Sequence, residues 1–323
     1  MTSFILRRAV GSVLVFFAVA ILVFAMIHLA PGDIAQLMLG VNLDATIIEE
    51  LAQELGLRRP FIVQFGSYLG DLLTGELGES AFSKRPVWEM LKERAPVTLE
   101  LGLVTAAFAT IIALVLGLIA AALPGSFLDG LIRVVTIVGI SIPNFWLGLV
   151  LIMVFAIYIP GILPPGGWVA FTQDWVLNLK SLVLPGLVLS VGTVAVVART
   201  LRASMLDALE RDYVMFARSM GLRRRRVIGT VAFPNAMLPT TTVIGLLVGY
   251  LVSGSVIVET VFTIPGVGQL LVTALRTQDI PVAIGATMFV AALFLLINLL
   301  VDISYAVLNP RIRELYLRRG AAR

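Results

Sequence analysis

Of 323 residues only 14% are Asp, Glu, Lys or Arg, 59% are hydrophobic, and the mean hydropathy is +1.00. A soluble chain carries about 25% charged residues, so this composition points to a membrane protein, a single all-α bundle whose backbone groups are paired internally. The absence of cysteine excludes disulfides, iron–sulfur clusters and thiolate zinc sites. The net charge of +4 does not signal nucleic acid, because the arginines flank apolar runs, where they act as topology signals.

Six windows are long enough to cross a bilayer: Ala9–Leu29, Thr98–Leu123, Leu131–Ile159, Ser181–Leu201, Asn235–Val258 and Val282–Val307. The first follows Arg7 and Arg8 and is read as a retained anchor. It is longer than a signal-peptide core, and Pro31-Gly32-Asp33 is a poor cleavage site. Residues 30–95 form a long polar segment. In it Thr46 and Glu49 make a capping-box pair, Ile48, Leu51 and Leu55 an apolar stripe, and Gly56 a stop. Pro60 opens a second expected helix with Phe61, Phe65, Leu69 and Leu72 on one side.

Arg7, Arg8, Arg133, the cluster from Arg199 to Arg226 and the tail arginines 311, 313, 318, 319 and 323 all fall on one side if the N-terminus is inside. Both termini are therefore expected in the cytoplasm. The chain is read as one transmembrane unit over 1–323. Its parts are a first span at 9–29, an extracytoplasmic segment at 30–95, a five-helix core at 98–307 with a cytoplasmic helix near 206–221, and a tail at 308–323.

Within the third span, Pro143 in "GISIPNFWLGL" is expected to bend or unwind the helix, and Asn144 beside it is a candidate for lining a pathway or for a bond to a neighbouring helix. Gly245 and Gly249 have the spacing of a close helix contact.

The polar residues exclude most chemistry. The one histidine, His28, cannot build a multi-histidine metal site and is read as an interfacial residue. Lys84, Lys92 and Lys180 are the only lysines and none follows a glycine, so there is no G-x-x-x-x-G-K-[ST] phosphate loop. An enzyme is not expected. Asp302 and Glu259 are the candidates for ion coupling, which leaves a secondary transporter as the alternative, but both are read as structural residues near span ends.

Between the fourth and fifth spans lies "DYVMFARSMGLRRRR", Asp212 to Arg226. Leu206, Leu209, Tyr213, Phe216 and Met220 recur at spacings of three and four, which predicts one amphipathic helix, and Gly221 stands where a left-handed cap would stop it. This periodicity fits two placements. The helix lies on the lipid with Arg223–Arg226 on anionic head groups, or its apolar stripe enters a groove on a cytoplasmic partner.

"DYVMFARSMGL" followed by "NAMLP" resembles the cytoplasmic loop of permease subunits of ATP-binding-cassette (ABC) importers of the dipeptide/oligopeptide/nickel group. The resemblance extends in order through "PGD" (31–33), "ELGLRRP" (54–60), "GELGES" (75–80), "RAPVTLEL" (94–101), "SIPNF" (141–145), "SGSVIVETVFTIPGVGQLL" (253–271) and "LVDISYAVLNPRIR" (300–313), covering nearly the whole chain. It implies a coupling helix from about Leu206 to Met220, with Leu206, Leu209, Asp212, Tyr213, Phe216, Ala217, Met220 and Gly221 docking on an ATPase. The general importer loop has a glutamate and two small residues where this chain has Met215, Phe216 and Ala217, so no salt bridge carries over to Met215. The resemblance further implies a second, similar permease, two ATPase subunits that bind ATP and Mg, and an extracytoplasmic substrate-binding protein. No cofactor is expected on this chain, and the cytoplasmic (inner) membrane of a prokaryote is the expected location.

Overall fold

The computed structural model of the chain describes residues 2–29 and 59–308. The expected helix around Thr46–Gly56, the arginine-rich tail and the side chain of His28 lie outside the described residues. What is described is helical. Helix α1 (Thr2–Leu29), α2 (Phe61–Thr74) and α3 (Val87–Ala122) are followed by α4 (Phe127–Ser141) and α5 (Asn144–Met153), which runs on into a π-helical turn. Next come α6 (Trp175–Leu209), α7 (Asp212–Ser219), the single turn α8 (Arg224–Arg226), a second π-helical stretch and α9 (Phe233–Ser253). Two short helices, α10 (Ser255–Val261) and α11 (Val267–Thr277), precede the last long helix, α12 (Ile280–Leu308).

Five helices are long and apolar enough to cross a membrane, and the α4–α5 pair makes a sixth if counted as one broken span. Helix α6 is the axis of the bundle: 72% of its most apolar window lies inside the protein, against 11% for α1. Small residues let α3 approach it closely. Ala109, Ala113 and Ala198 are buried between the two, and a Cβ on Gly117 would stand 2.8 Å from the Ala198 carbonyl oxygen. Helix packing in lipid depends on this kind of close fit, because lipid removes the hydrophobic drive for helices to associate. Gly249 serves the same end against Asn298 of α12. Helix α2 begins after Pro60, as expected, and packs on α1 through Phe24, Phe65 and Tyr68. Burial pushes the Tyr68 hydroxyl up to about 12.

One sequence expectation holds and another is corrected. The third span is broken at Pro143, as expected: α4 and α5 meet at 103°. Ile142, immediately before Pro143, is extended at φ −86° and ψ 125°, as the proline ring requires of its predecessor. The fifth span stops at Ser253, and Val258 turns inward within the separate helix α10, where it is buried.

At the end of the bundle remote from α7, polar contacts close on themselves. The fully buried Glu259 carboxylate accepts hydrogen bonds from the Ser255 hydroxyl at 2.8 Å and the Gln269 amide at 3.1 Å. Gly266 and Gly268 make room for it, since a Cβ on either would clash with a carboxylate oxygen. Ser80 and the Ala81 amide donate to Asp279, tying the segment before α3 to the start of α12. Glu259 is therefore a buried structural anchor rather than an interfacial residue. Asp302 is ion-paired with Arg8 at 3.0 Å, joining α12 to α1.

Candidate functional site: the α7 element

The single helix expected over 206–220 is two helices. Leu206 and Leu209 belong to the last turns of α6, and the chain breaks at Glu210–Arg211. Arg211 is extended at φ −74° and ψ 150°, and its carbonyl accepts the first bonds of α7 from Val214 and Met215. Asp212 in the first turn and Arg218 in the last match the helix dipole. An apolar repeat of three and four survives such a break, which is why periodicity alone did not show it.

The break turns a different face inward. Val214 is 0% exposed and packs in a cluster with Leu201, Met205, Ala208 and Val227, while Leu209 and Leu222 close over its edge. Ala217 is also buried, on the side of α7 that faces the bundle. Facing outward are Tyr213 at 40% exposure, Phe216 at 67% and Met220 at 69%, with Met215 beside them. Asp212 is exposed and Leu206 half-buried. Of the expected apolar stripe, three residues remain on an open face.

The stop is a complete Schellman motif. The Leu222 amide donates to the Ala217 carbonyl at 3.3 Å and the Gly221 amide to that of Arg218 at 2.9 Å. Gly221 has φ +78°, a conformation that costs a residue with a Cβ about 1–2 kcal/mol. The Arg224 guanidinium donates to the Ala122 carbonyl at 2.7 Å, tying the segment after α7 to the last turn of α3. Helix α7 is therefore held at both ends.

A second link, absent from the sequence reading, lies two turns before the end of α6. Arg202 donates from Nε and Nη2 to the Asp129 carboxylate at 2.6 and 2.8 Å, and Asp129 is 0% exposed. Asp129 also accepts from the Gly125 amide, and Arg133 lies 3.6 Å away. Bidentate pairing of this kind is strong and directional. It fixes the start of α4 to α6 close to α7. Ser126 capping the Asp129 amide was a readable local signal for the start of α4; the partner 73 residues away was not.

Pro143 is exposed at the α4–α5 bend and Asn144 is half-buried beside it. They do not meet the α7 residues. The bend also packs directly on α6, where Gly139 of α4 stands against Val191.

The chain is a multi-span helical bundle that presents one short, capped helix beyond its most buried span. The family described as "Binding-protein-dependent transport system inner membrane component" matches residues 113–314, and its N-terminal counterpart matches residues 1–102. The chain is 38% identical over 335 residues to the di/tripeptide transport system permease protein DppB of Pseudomonas aeruginosa (strain UCBPP-PA14), covering 97% of this chain and 99% of that one. It is 38% identical over 338 residues to the dipeptide transport system permease protein DppB of Escherichia coli (strain K12), with the same coverage. Its fold matches a chain of the MetNI methionine ABC transporter in inward-facing conformations, with a TM-score of 0.52 and 18% identity over 68% of this chain and 96% of the other. The chain belongs to the binding-protein-dependent transport system inner membrane component family: it is a multi-pass permease subunit of an ABC importer.

Proposed function

We propose that this permease, paired with a second similar permease, forms the pathway by which peptides cross the inner membrane, and that α7 is the coupling helix through which partner ATPases drive it. Two ATPase subunits carry ATP and Mg on the cytoplasmic side, and a binding protein delivers substrate from outside. This places the α7 end and both termini in the cytoplasm, in line with the arginines of that end. The peptide class rests on the relatives' names.

The observation that carries the reading is the open face of Tyr213, Phe216 and Met220 on a helix whose other face is locked into the bundle through Val214 and Ala217. An apolar face of this size on a rigid, capped element suits a groove on another protein. A push on α7 enters α6 through the Val214 cluster and α4 through Arg202 and Asp129. The α4–α5 bend then moves with α4, which makes Pro143 and Asn144 the candidates for a moving wall of the pathway. ATP accomplishes transport only because it favours one arrangement of this lever over the other.

Reconstitution of the permease pair with its ATPases and binding protein in proteoliposomes tests the reading. Di- and tripeptide uptake should require ATP and vanish in Phe216→Asp, with peptide-stimulated ATP hydrolysis lost in parallel. Uptake by this chain alone on a proton or sodium gradient would contradict it.

A further inference from the structure

Four consecutive arginines, Arg223 to Arg226, follow α7. The structure separates them from the open apolar face: they lie beyond the Gly221 stop, at the head of the Arg224–Leu251 span. Arg224 is occupied by the Ala122 carbonyl. The exposed guanidiniums of Arg223, Arg225 and Arg226 have no hydrogen-bond or ion-pair partner among the described residues. The bond from Arg224 sets the run beside the end of α3, and the next residues along the chain include three exposed apolar side chains: Leu123 at 43%, Phe127 at 82% and Leu128 at 46%.

We propose that Arg223, Arg225 and Arg226 hold the phosphodiester head group of an anionic phospholipid, with Leu123, Phe127 and Leu128 against its glycerol and upper acyl region. The guanidinium fork matches phosphate oxygens and sheds water more readily than an ammonium. Basic clusters immediately beside a span draw anionic lipids in this way. A lipid accounts for both observations at once, the unpaired charge and the uncovered apolar residues at the membrane boundary. An acidic protein surface would account only for the first. Docking through α7 and lipid binding through α8 thus use separate residues, and the second rests on the membrane placement of this end, not on the coupling reading.

The test is native mass spectrometry of the full-length permease in its assembled complex, extracted from nanodiscs of phosphatidylcholine containing phosphatidylglycerol. Wild type should retain phosphatidylglycerol over phosphatidylcholine. The triple substitution Arg223→Gln, Arg225→Gln, Arg226→Gln should lose that preference, about fivefold for each charge removed. Phe127→Ser should weaken retention of both lipids, whereas Arg276→Gln at the opposite end should change neither. Should the triple variant fail to insert, the wild-type complex still decides, because raised salt must weaken phosphatidylglycerol retention and inorganic phosphate must not displace it. Three results would overturn the proposal: unchanged preference in the triple variant, displacement by inorganic phosphate as from a small-anion site, or loss of ATPase co-purification with lipid preference intact, which would assign the arginines to an acidic protein surface.

Discussion

Helices α7 and α11 are both short and both sit at an end of the bundle, yet they end up with opposite surfaces. In α11 the apolar residues Val267, Leu270 and Ala274 are covered by Val87 and Leu91 of α3 and by Val282 and Ala286 of α12. Its neighbours' polar groups, Glu259 and Asp279, are answered inside the chain. In α7 only Val214 and Ala217 are covered, and Tyr213, Met215 and Phe216 are left open. One end of the protein covers most of the apolar side of its short helix, and the other leaves that of its short helix open. Burial is what tells these helices apart, because both carry amphipathic sequence.

Four substitutions sharpen this contrast. Val214→Asp should have the largest effect on the fold, since it buries a carboxylate in the Leu201–Met205–Val227 cluster without a partner. A loss of at least ~3 kcal/mol is expected, read as a collapsed thermal midpoint in detergent. Asp129→Asn should cost about 3 kcal/mol by leaving Arg202 without its charge partner. If the α4 link transmits motion, the surviving protein should also hydrolyse ATP with less transport per turnover; a normal midpoint and normal coupling would remove Asp129 from the load path. Gly221→Ala should cost about 1–2 kcal/mol through its left-handed backbone, with Asn at the same position milder. Lys180→Ala, an exposed change remote from α7, should lie within about 0.5 kcal/mol of wild type and leave uptake unchanged; a large loss of uptake would reveal an external gate.

Hydropathy located the membrane-crossing helices because it is a local property, carried by each window on its own. Pro143 and the restriction it places on Ile142 were equally local, so a disturbance there was legible, but the 103° bend depends on what α5 packs against, including the ring of Phe262 beneath Gly148. At α7 the glycine stop was readable and the break at Arg211 was not. Leu206, Leu209, Tyr213, Phe216 and Met220 keep a helical rhythm straight through it, and only the burial of Val214 and Ala217 shows that the face has rotated. The Asp129–Arg202 and Ser80–Asp279 links join residues far apart in sequence, and nothing in either neighbourhood announces its partner.

The absence of cysteine allows a clean measurement of the central claim, that the open face of α7 lies against an ATPase. A single Phe216→Cys permease, assembled with its partners in native membranes and treated with a thiol-to-amine crosslinker, should give one adduct with the ATPase subunit. Leu275→Cys on the exposed side of α11 should give none with it. If the cysteine at position 216 yields no ATPase adduct while the assembled complex still transports, α7 is not the point where force enters the bundle.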